Sequence, residues 1–371
     1  MKLLFVISHK PDIRYLKRFD VIKQSFDTSV IYWNKDSNHV NFQYSLVTPI
    51  EIKVPANKTN PLKRLPETFV FMEKAYRQIC QEKPDYLYVG NLDMLYIAAK
   101  YKRKNKDVKI IYEIADLHRL IIDKQKVPFK ILLSNALKFK EKNLIKLVDL
   151  LVLTSMKFYE IYYKGLINKE KLVFMPNMPD AESFNGFKKY PHNRFTVAFV
   201  GSIRYKNQLR MLIEASTEAD VDILFAGSDS DGSGFANECL AYPNVTFRGE
   251  FDYKKEIQEI YSRVDCIYAV YDADMANVRV ALPNKLYESV VTEIPIIVAK
   301  NTYLSEMVHE MGIGYSVSHK DKAELTEVLK NIKTKGQDYQ QKIKNCINEK
   351  ERQSLNRFND RLLHSIGELQ K

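Results

Sequence analysis

Short, unbroken apolar runs rich in Val, Ile, Leu, Phe and Tyr alternate with helix-length amphipathic stretches almost from one end of this chain to the other. Strands are predicted at 3–8, 29–33, 46–54, 86–89, 109–113, 150–154 and 172–176, and again at 196–200, 222–226, 245–248, 266–271, 294–299 and 315–317. Strands lacking an in/out alternation are buried on both faces, and helices between them supply the cover, so each set forms a parallel sheet. The expected fold class is therefore α/β: two Rossmann-like, doubly wound parallel-sheet domains in series. A length of 371 residues suits two domains of about 150–200 residues. The break falls in 178–194, where two prolines, a glycine and no periodicity mark a connection. This gives domains at 1–180 and 195–349 with 181–194 as linker. The polar, proline-free tail 350–371 is expected to pack back on the first domain. Ligands of open parallel sheets sit outside the carboxyl ends of the strands, so function is sought in strand-to-helix loops, in a cleft between facing sheets.

Charge and cysteine content narrow the classes of function. Lys and Arg number 57 against 46 Asp and Glu, and the excess lies in the first domain. Residues 1–180 carry 32 basic and 19 acidic side chains, and 100–146 alone carry 14 and 5. Such asymmetry fits a domain that faces an anionic surface or substrate, or simply lysines that solubilise helices. Cys80, Cys239, Cys266 and Cys346 lie far apart with no CxxC or Cys/His spacing, which argues against a disulfide framework or structural zinc and fits a reducing compartment. The opening Met1-Lys2-Leu3-Leu4-Phe5-Val6-Ile7-Ser8 is too short an apolar stretch for a signal peptide and reads as a first strand. No run of eighteen apolar residues exists to span a bilayer.

Three loops carry candidate chemistry. The strand ending Phe199-Val200 runs into Gly201, then Arg204 and Lys206, then a helix. Glycine admits a phosphate to the backbone, a helix amino end favours it, and two cations neutralise a diphosphate. The same pattern fits an ordinary βα turn with solvated cations. The second is Leu282-Pro283-Asn284-Lys285-Leu286-Tyr287-Glu288, with proline at a helix's first turn, Asn284 and Lys285 at its amino end, and Glu288 one turn further on the same face. Glu288 there is placed to accept from a ribose diol, although a plain amphipathic helix gives the same pattern. The polar loop before it supplies Asn277 and Arg279. The third candidate is the pair Asp116 and His118 after the strand 109–113, able to orient or deprotonate a hydroxyl, or to act merely as a cap. No GxGxxG follows the first strand, which counts against a dinucleotide oxidoreductase.

Taken in order and spacing, these loops resemble family 4 glycosyltransferases of the GT-B fold, in particular the capsular and exopolysaccharide subgroup whose donor helix begins Pro-Asn-Lys-Leu-Tyr-Glu. The resemblance runs over nearly the whole chain, through Asp116, Glu141, Met175-Pro176-Asn177, the Phe199–Ala215 stretch and Pro283 to Glu288. It implies a retaining transfer of a hexosyl or N-acetylhexosaminyl group from a nucleotide-sugar, with UDP by default. The acceptor would be a saccharide or a polyprenyl-diphosphate-linked saccharide, and neither cofactor nor metal is implied. Donor contacts carried over are Arg204, Lys206, Pro283, Asn284, Lys285, Leu286 and Glu288, and the loops' own chemistry adds Gly201, Asn277 and Arg279. Asp116 stands at the family's acceptor-domain His-Asp position, with His118 nearby, and the two are the catalytic candidates. Two departures are plain: the family's second glutamate, eight residues before Glu288, is Val280, and its His-Asp pair reads Ala115-Asp116. Asp272-Ala273-Asp274 formally makes a DxD, but it lies in the loop ahead of Pro283 and reads as a sugar or acceptor contact.

The remaining expectations concern partners. Apolar positions in 117–148 are interleaved with lysines, among them Lys138, Lys140, Lys142 and Lys146. Such segments lie against anionic lipid, so peripheral docking on the inner face of the cytoplasmic membrane is expected. A buried helix with a solvated lysine face fits the same pattern. Nucleic acid is not expected as a partner. The alternatives to a transferase are a nucleotide-sugar 2-epimerase of the same fold and a non-enzymatic basic scaffold.

Overall fold

A computed structural model describes residues 1–36, 47–57, 63–123, 126–179, 182–229, 234–352 and 355–369, with the side chains of 119, 120, 355 and 356 left aside. The 180/181 boundary, Lys124 and positions 353–354 and 370–371 of the tail lie outside the described residues.

The chain divides into two compact units, Met1–Pro176 with Asn356–Lys371, and Asn177–Leu355. The first unit holds β1 (Lys2–Ile7), β2 (Asp27–Asn34), β3 (Thr48–Lys53), β4 (Tyr86–Gly90), β5 (Lys109–Ile114), β6 (Leu150–Leu153) and β7 (Leu172–Phe174). They form one sheet in the order β3-β2-β1-β4-β5-β6-β7, every pairing parallel. The second unit holds β8 (Thr196–Val200), β9 (Asp222–Ala226), β10 (Val245–Gly249), β11 (Cys266–Ala269), β12 (Ile296–Ala299) and β13 (Gly314–Val317), in the order β10-β9-β8-β11-β12-β13 and again all parallel. In both sheets the order reverses beside the first strand, so the switch points lie between β1 and β4 and between β8 and β11.

The central strands are apolar throughout because helices cover both faces. Leu3, Phe5 and Ile7 of β1 face a core that includes Tyr15 and Phe19 of the helix Ile13–Ile22. Leu362 and Ile366, from the helix Leu355–Glu368, are fully buried in that same core. A polar helix of this length is marginal alone, and these residues tie it to the first sheet.

The segment read as a linker is fixed to the second unit. Phe184 is buried beside Tyr261, and the Tyr190 N–H donates to the Ser262 carbonyl at 2.8 Å. Farther along, Asp265, almost fully buried, receives the His192 ring at 2.6 Å, the Thr196 N–H at 2.9 Å and the Lys335 ammonium at 2.9 Å. Among the described residues no helix is long and apolar enough to cross a membrane.

Candidate functional site

β8 ends at Val200, and Gly201 follows with φ +140°, a conformation that favours glycine. Its N–H donates to the Ala226 carbonyl at 2.8 Å. A Cβ on Gly227 would stand 1.8 Å from the Gly201 oxygen, so the ends of β8 and β9 meet backbone to backbone. A Cβ on Gly201 itself would meet Lys285 Cε at 4.0 Å and no nearer atom. The Lys285 stem therefore lies above the exposed side of this glycine.

Lys285 comes from the helix Asn284–Thr292. Pro283 stands at its cap in extended backbone, one residue before the first-turn position that the sequence suggested. Its fixed φ is compatible with that entry. Asn284 is exposed, Leu286 is buried apolar packing, and Glu288 is fully buried. The Lys285 ammonium lies 2.5 Å from Glu288 Oε2. The Tyr261 hydroxyl donates to the same oxygen at 2.5 Å and the Tyr253 hydroxyl to Oε1 at 2.9 Å. Burial, reinforced by the Glu288 charge, holds the Tyr261 hydroxyl well above the ordinary phenol range, so it remains a donor. The carboxylate expected to face a ribose diol is thus already held by three donors of the chain.

The other expected donor contacts are less concentrated. Lys206 begins the helix Lys206–Ala219, and its ammonium lies 3.2 Å from Asp229 Oδ1. Arg204 is exposed and donates to Ser202 Oγ at 3.3 Å. Arg279 closes its own loop through the carbonyls of Ala273 and Asp274, at 3.1 and 3.0 Å. Asn277 is half-buried in the short helix Ala276–Val280, and Val280 is itself buried. The structure therefore brings Gly201, Lys285 and Glu288 into one group and leaves Arg204 and Arg279 at the surface.

Asp272, Asp274 and His319 can offer ligand atoms within 4.8 Å of one another. His319 Nε2 is 3.4 Å from Asp272 Oδ1 and 3.6 Å from Asp274 Oδ1. Lys320 already pairs with Asp274 at 2.5 Å, so fixed cations balance part of this charge.

In the first unit Asp116 and His118 are both exposed in the loop after β5. The His118 carbonyl accepts from the N–H groups of Ile121 and Ile122. The buried acid at this strand end is Glu113 instead, which accepts from Tyr88 at 2.5 Å and from Arg18 at 3.2 Å. On the helix Pro128–Leu144 the apolar side chains Phe129, Leu132 and Phe139 are exposed. Lys142 and Lys146 are exposed with them, Lys138 is half-buried, and Lys140 lies over the Tyr96 ring at 4.0 Å.

Sequence reasoning missed Tyr253, Tyr261 and Asp229. The two tyrosines stand eight residues apart, on neighbouring faces two turns along one helix. Nothing in the sequence joins that helix to the one carrying Glu288.

No family model and no curated protein matches this chain. Solved structures do. HepE of Anabaena in complex with UDP is 14% identical over 99% of this chain and 100% of its own, with a TM-score of 0.71. Sucrose-phosphate synthase of Thermosynechococcus elongatus is 13% identical over 100% and 99%, with a TM-score of 0.70. A UDP-N-acetylglucosamine 2-epimerase follows with 12% identity over 93% and 90% and a TM-score of 0.59. The chain has the GT-B fold, built from two parallel-sheet α/β domains.

Proposed function

We propose that the chain is a retaining glycosyltransferase that moves a sugar from a nucleotide-sugar, with UDP as the nucleotide, to a saccharide or lipid-linked saccharide of the cell surface. The observation that carries this reading is Lys285 poised over Gly201 with Glu288 buried behind it. All three stand by the switch point of the second sheet, where a diphosphate would meet open backbone, a helix amino end and an ammonium group. HepE has been solved with UDP, with UDP and glucose, and with UDP-glucose, which favours the same choice of donor.

In this reading the glycine backbone, the first N–H groups of the helix Asn284–Thr292 and Lys285 receive the diphosphate, with Arg204 and Lys206 flanking it. Pro283 fixes the helix entry, Leu286 packs the helix down, and Asn277 and Arg279 border the sugar. The bond from the anomeric carbon to the phosphate oxygen breaks and the acceptor oxygen bonds to that carbon from the same face. The acceptor proton passes to the leaving diphosphate. Asp116 and His118 orient the acceptor hydroxyl, and catalysis rests on positioning and on stabilising the leaving charge. No metal is assigned a role in this reading.

Docking at the cytoplasmic face of the membrane belongs to the same proposal. Exposed Phe129, Leu132 and Phe139 beside Lys142 and Lys146 suit an anionic lipid interface.

The test is incubation with UDP-sugars, with and without saccharide acceptors, followed by NMR of the anomeric products. Retained configuration, with a rate unchanged by chelator, supports the proposal. Sugar isomerised at C2 without acceptor would favour the epimerase reading, and no nucleotide effect at all would favour a scaffold.

A further inference from the structure

β1 and β2 end side by side, with Ile7 opposite Tyr32. His9 and Lys10 leave the end of β1, Lys35 and Asp36 leave the end of β2, and Arg64 arrives at the start of the helix Leu65–Glu82. With Tyr32, Trp33 and Asn34 they line a cavity of about 320 Å³. This lies at the small end of ligand pockets, about 300–1,000 Å³, and on the edge of the sheet where ligands of open α/β folds bind.

The walls are ionic: Lys10, Lys35 and Arg64 line the cavity with His9 and one carboxylate, Asp36. Burial lowers the Lys35 ammonium, Arg64 lowers it further, and only Asp93 opposes them. His9 lies 3.7 Å from Asp12, while Glu51 is drawn off by Asn34 at 2.5 Å and Lys53 at 3.7 Å. Among the described lining residues no aromatic face is offered for stacking, Tyr32 and Trp33 being buried. Trp33 is almost fully buried, stacked on Phe71 at 4.8 Å, and Lys35 lies over the indole at 4.7 Å. The indole N–H is fixed to the Val54 carbonyl at 2.7 Å, so Trp33 is a rigid post that positions Lys35. Three cations against the one lining carboxylate, Asp36, with Asp93 acting on Lys35 from beyond the lining, suit an anionic group such as a phosphate monoester, about −1.5 to −2 at pH 7.

We propose that this cavity binds a phosphate monoester or diphosphate carried by the acceptor, with Lys10, Lys35 and Arg64 as its counter-charges. The word acceptor rests on the transferase reading; the anion site itself does not.

The test is calorimetric titration of the full chain with inorganic diphosphate in the presence of saturating UDP, which fills the second unit's own anion site. Binding is expected, weakening as salt rises. Lys35→Gln and Arg64→Gln are each expected to weaken it at least about 10-fold, the scale of losing one charge-assisted contact. Lys10→Gln, at an exposed position, decides the matter if either variant fails to fold. It should weaken binding about 3-fold or more with an unchanged melting curve. Two further arms separate the sources of the phosphate. Glucose 1-phosphate stands for a soluble acceptor, and phosphatidylcholine vesicles with and without farnesyl diphosphate stand for a lipid-linked one. Binding in either arm, lost in the variants, supports the site. Absence of diphosphate binding, or binding untouched by all the folded variants, overturns it. If UDP does not bind, the donor reading fails by itself, and diphosphate titrated into wild type and variants still decides the cavity.

Discussion

Replacing Glu288 with glutamine keeps the shape of the buried group and removes its charge. In the wild type the carboxylate takes the Tyr261 hydroxyl and the Lys285 ammonium on Oε2 and the Tyr253 hydroxyl on Oε1. Hydrogen bonds to a charged group contribute about 1.5–3 kcal/mol each, and neutral ones about 1 kcal/mol. The amide oxygen can keep one or two neutral bonds, whereas its NH₂ turns a donor toward donors, and Lys285 loses its counter-charge while only 12% exposed. The net loss is therefore about 2–4 kcal/mol. For a domain of this size each kcal/mol shifts the midpoint by about 2–4 °C, so the second unit should melt about 4–16 °C lower. Differential scanning calorimetry of the full chain reads this directly, with the affected transition identified as the one that UDP raises in the wild type. Tyr261→Phe should give a smaller loss of about 1.5–3 kcal/mol, because Tyr253 and Lys285 remain. A Glu288→Gln protein melting within about 1 °C of wild type would refute the reasoning, since the carboxylate would then not be the hub of this cluster.

Asp265→Asn should destabilise the second unit by about 2–4 kcal/mol in denaturant unfolding, because Lys335 and the Thr196 N–H use different carboxylate oxygens, the amide can serve only one of them, and Lys335 loses its counter-charge. Burial alone would raise the Asp265 carboxyl, but the hydrogen bonds from Lys335, Thr196 and His192 win and lower it. A lowered carboxyl contributes stability that is complete above its unfolded value of about 3.9 and is lost as pH falls through the folded value. The wild type should thus lose stability below about pH 4 by a component that Asp265→Asn lacks. Co-sedimentation with anionic vesicles at low salt should fade as salt rises, and replacing Phe129, Leu132 and Phe139 with serine should reduce it at least about 10-fold. Persistence of binding in that triple variant would exclude this helix as the contact.

The sheets were legible because strands buried on both faces cannot hide their apolar runs. Leu3 to Ile7 and Cys266 to Ala269 are unbroken. Residues 156–163 divide into Met156–Phe158 and a wider π turn, Tyr159–Tyr163. The wide turn lets Tyr162 and Tyr163 both reach Glu141, at 2.9 and 2.8 Å. That demand comes from a residue about twenty positions away, and no local pattern shows it. Residues 181–194 look like a linker in sequence because their anchors, Tyr261, Ser262 and Asp265, are more remote still. At the site, Gly201, Lys285 and Glu288 could be named from local rules about phosphate and helix ends. Their assembly could not, since Tyr253 and Tyr261 approach Glu288 through packing of separate helices. The cavity of Lys10, Lys35 and Arg64 escaped for the same reason: β1 and β2 are adjacent in space and their loops are ordinary in sequence.

The most direct measurement is calorimetric titration of UDP into the wild-type chain and into Lys285→Met. Lys285 reaches over Gly201, where open backbone, a helix end and an ammonium converge. UDP should bind the wild type, and loss of one charge-assisted diphosphate contact should weaken it about 10- to 100-fold with the melting curve of the first unit unchanged. Failure of UDP to bind the wild type, or equal affinity in the two proteins, would contradict the placement of a nucleotide-sugar on this helix.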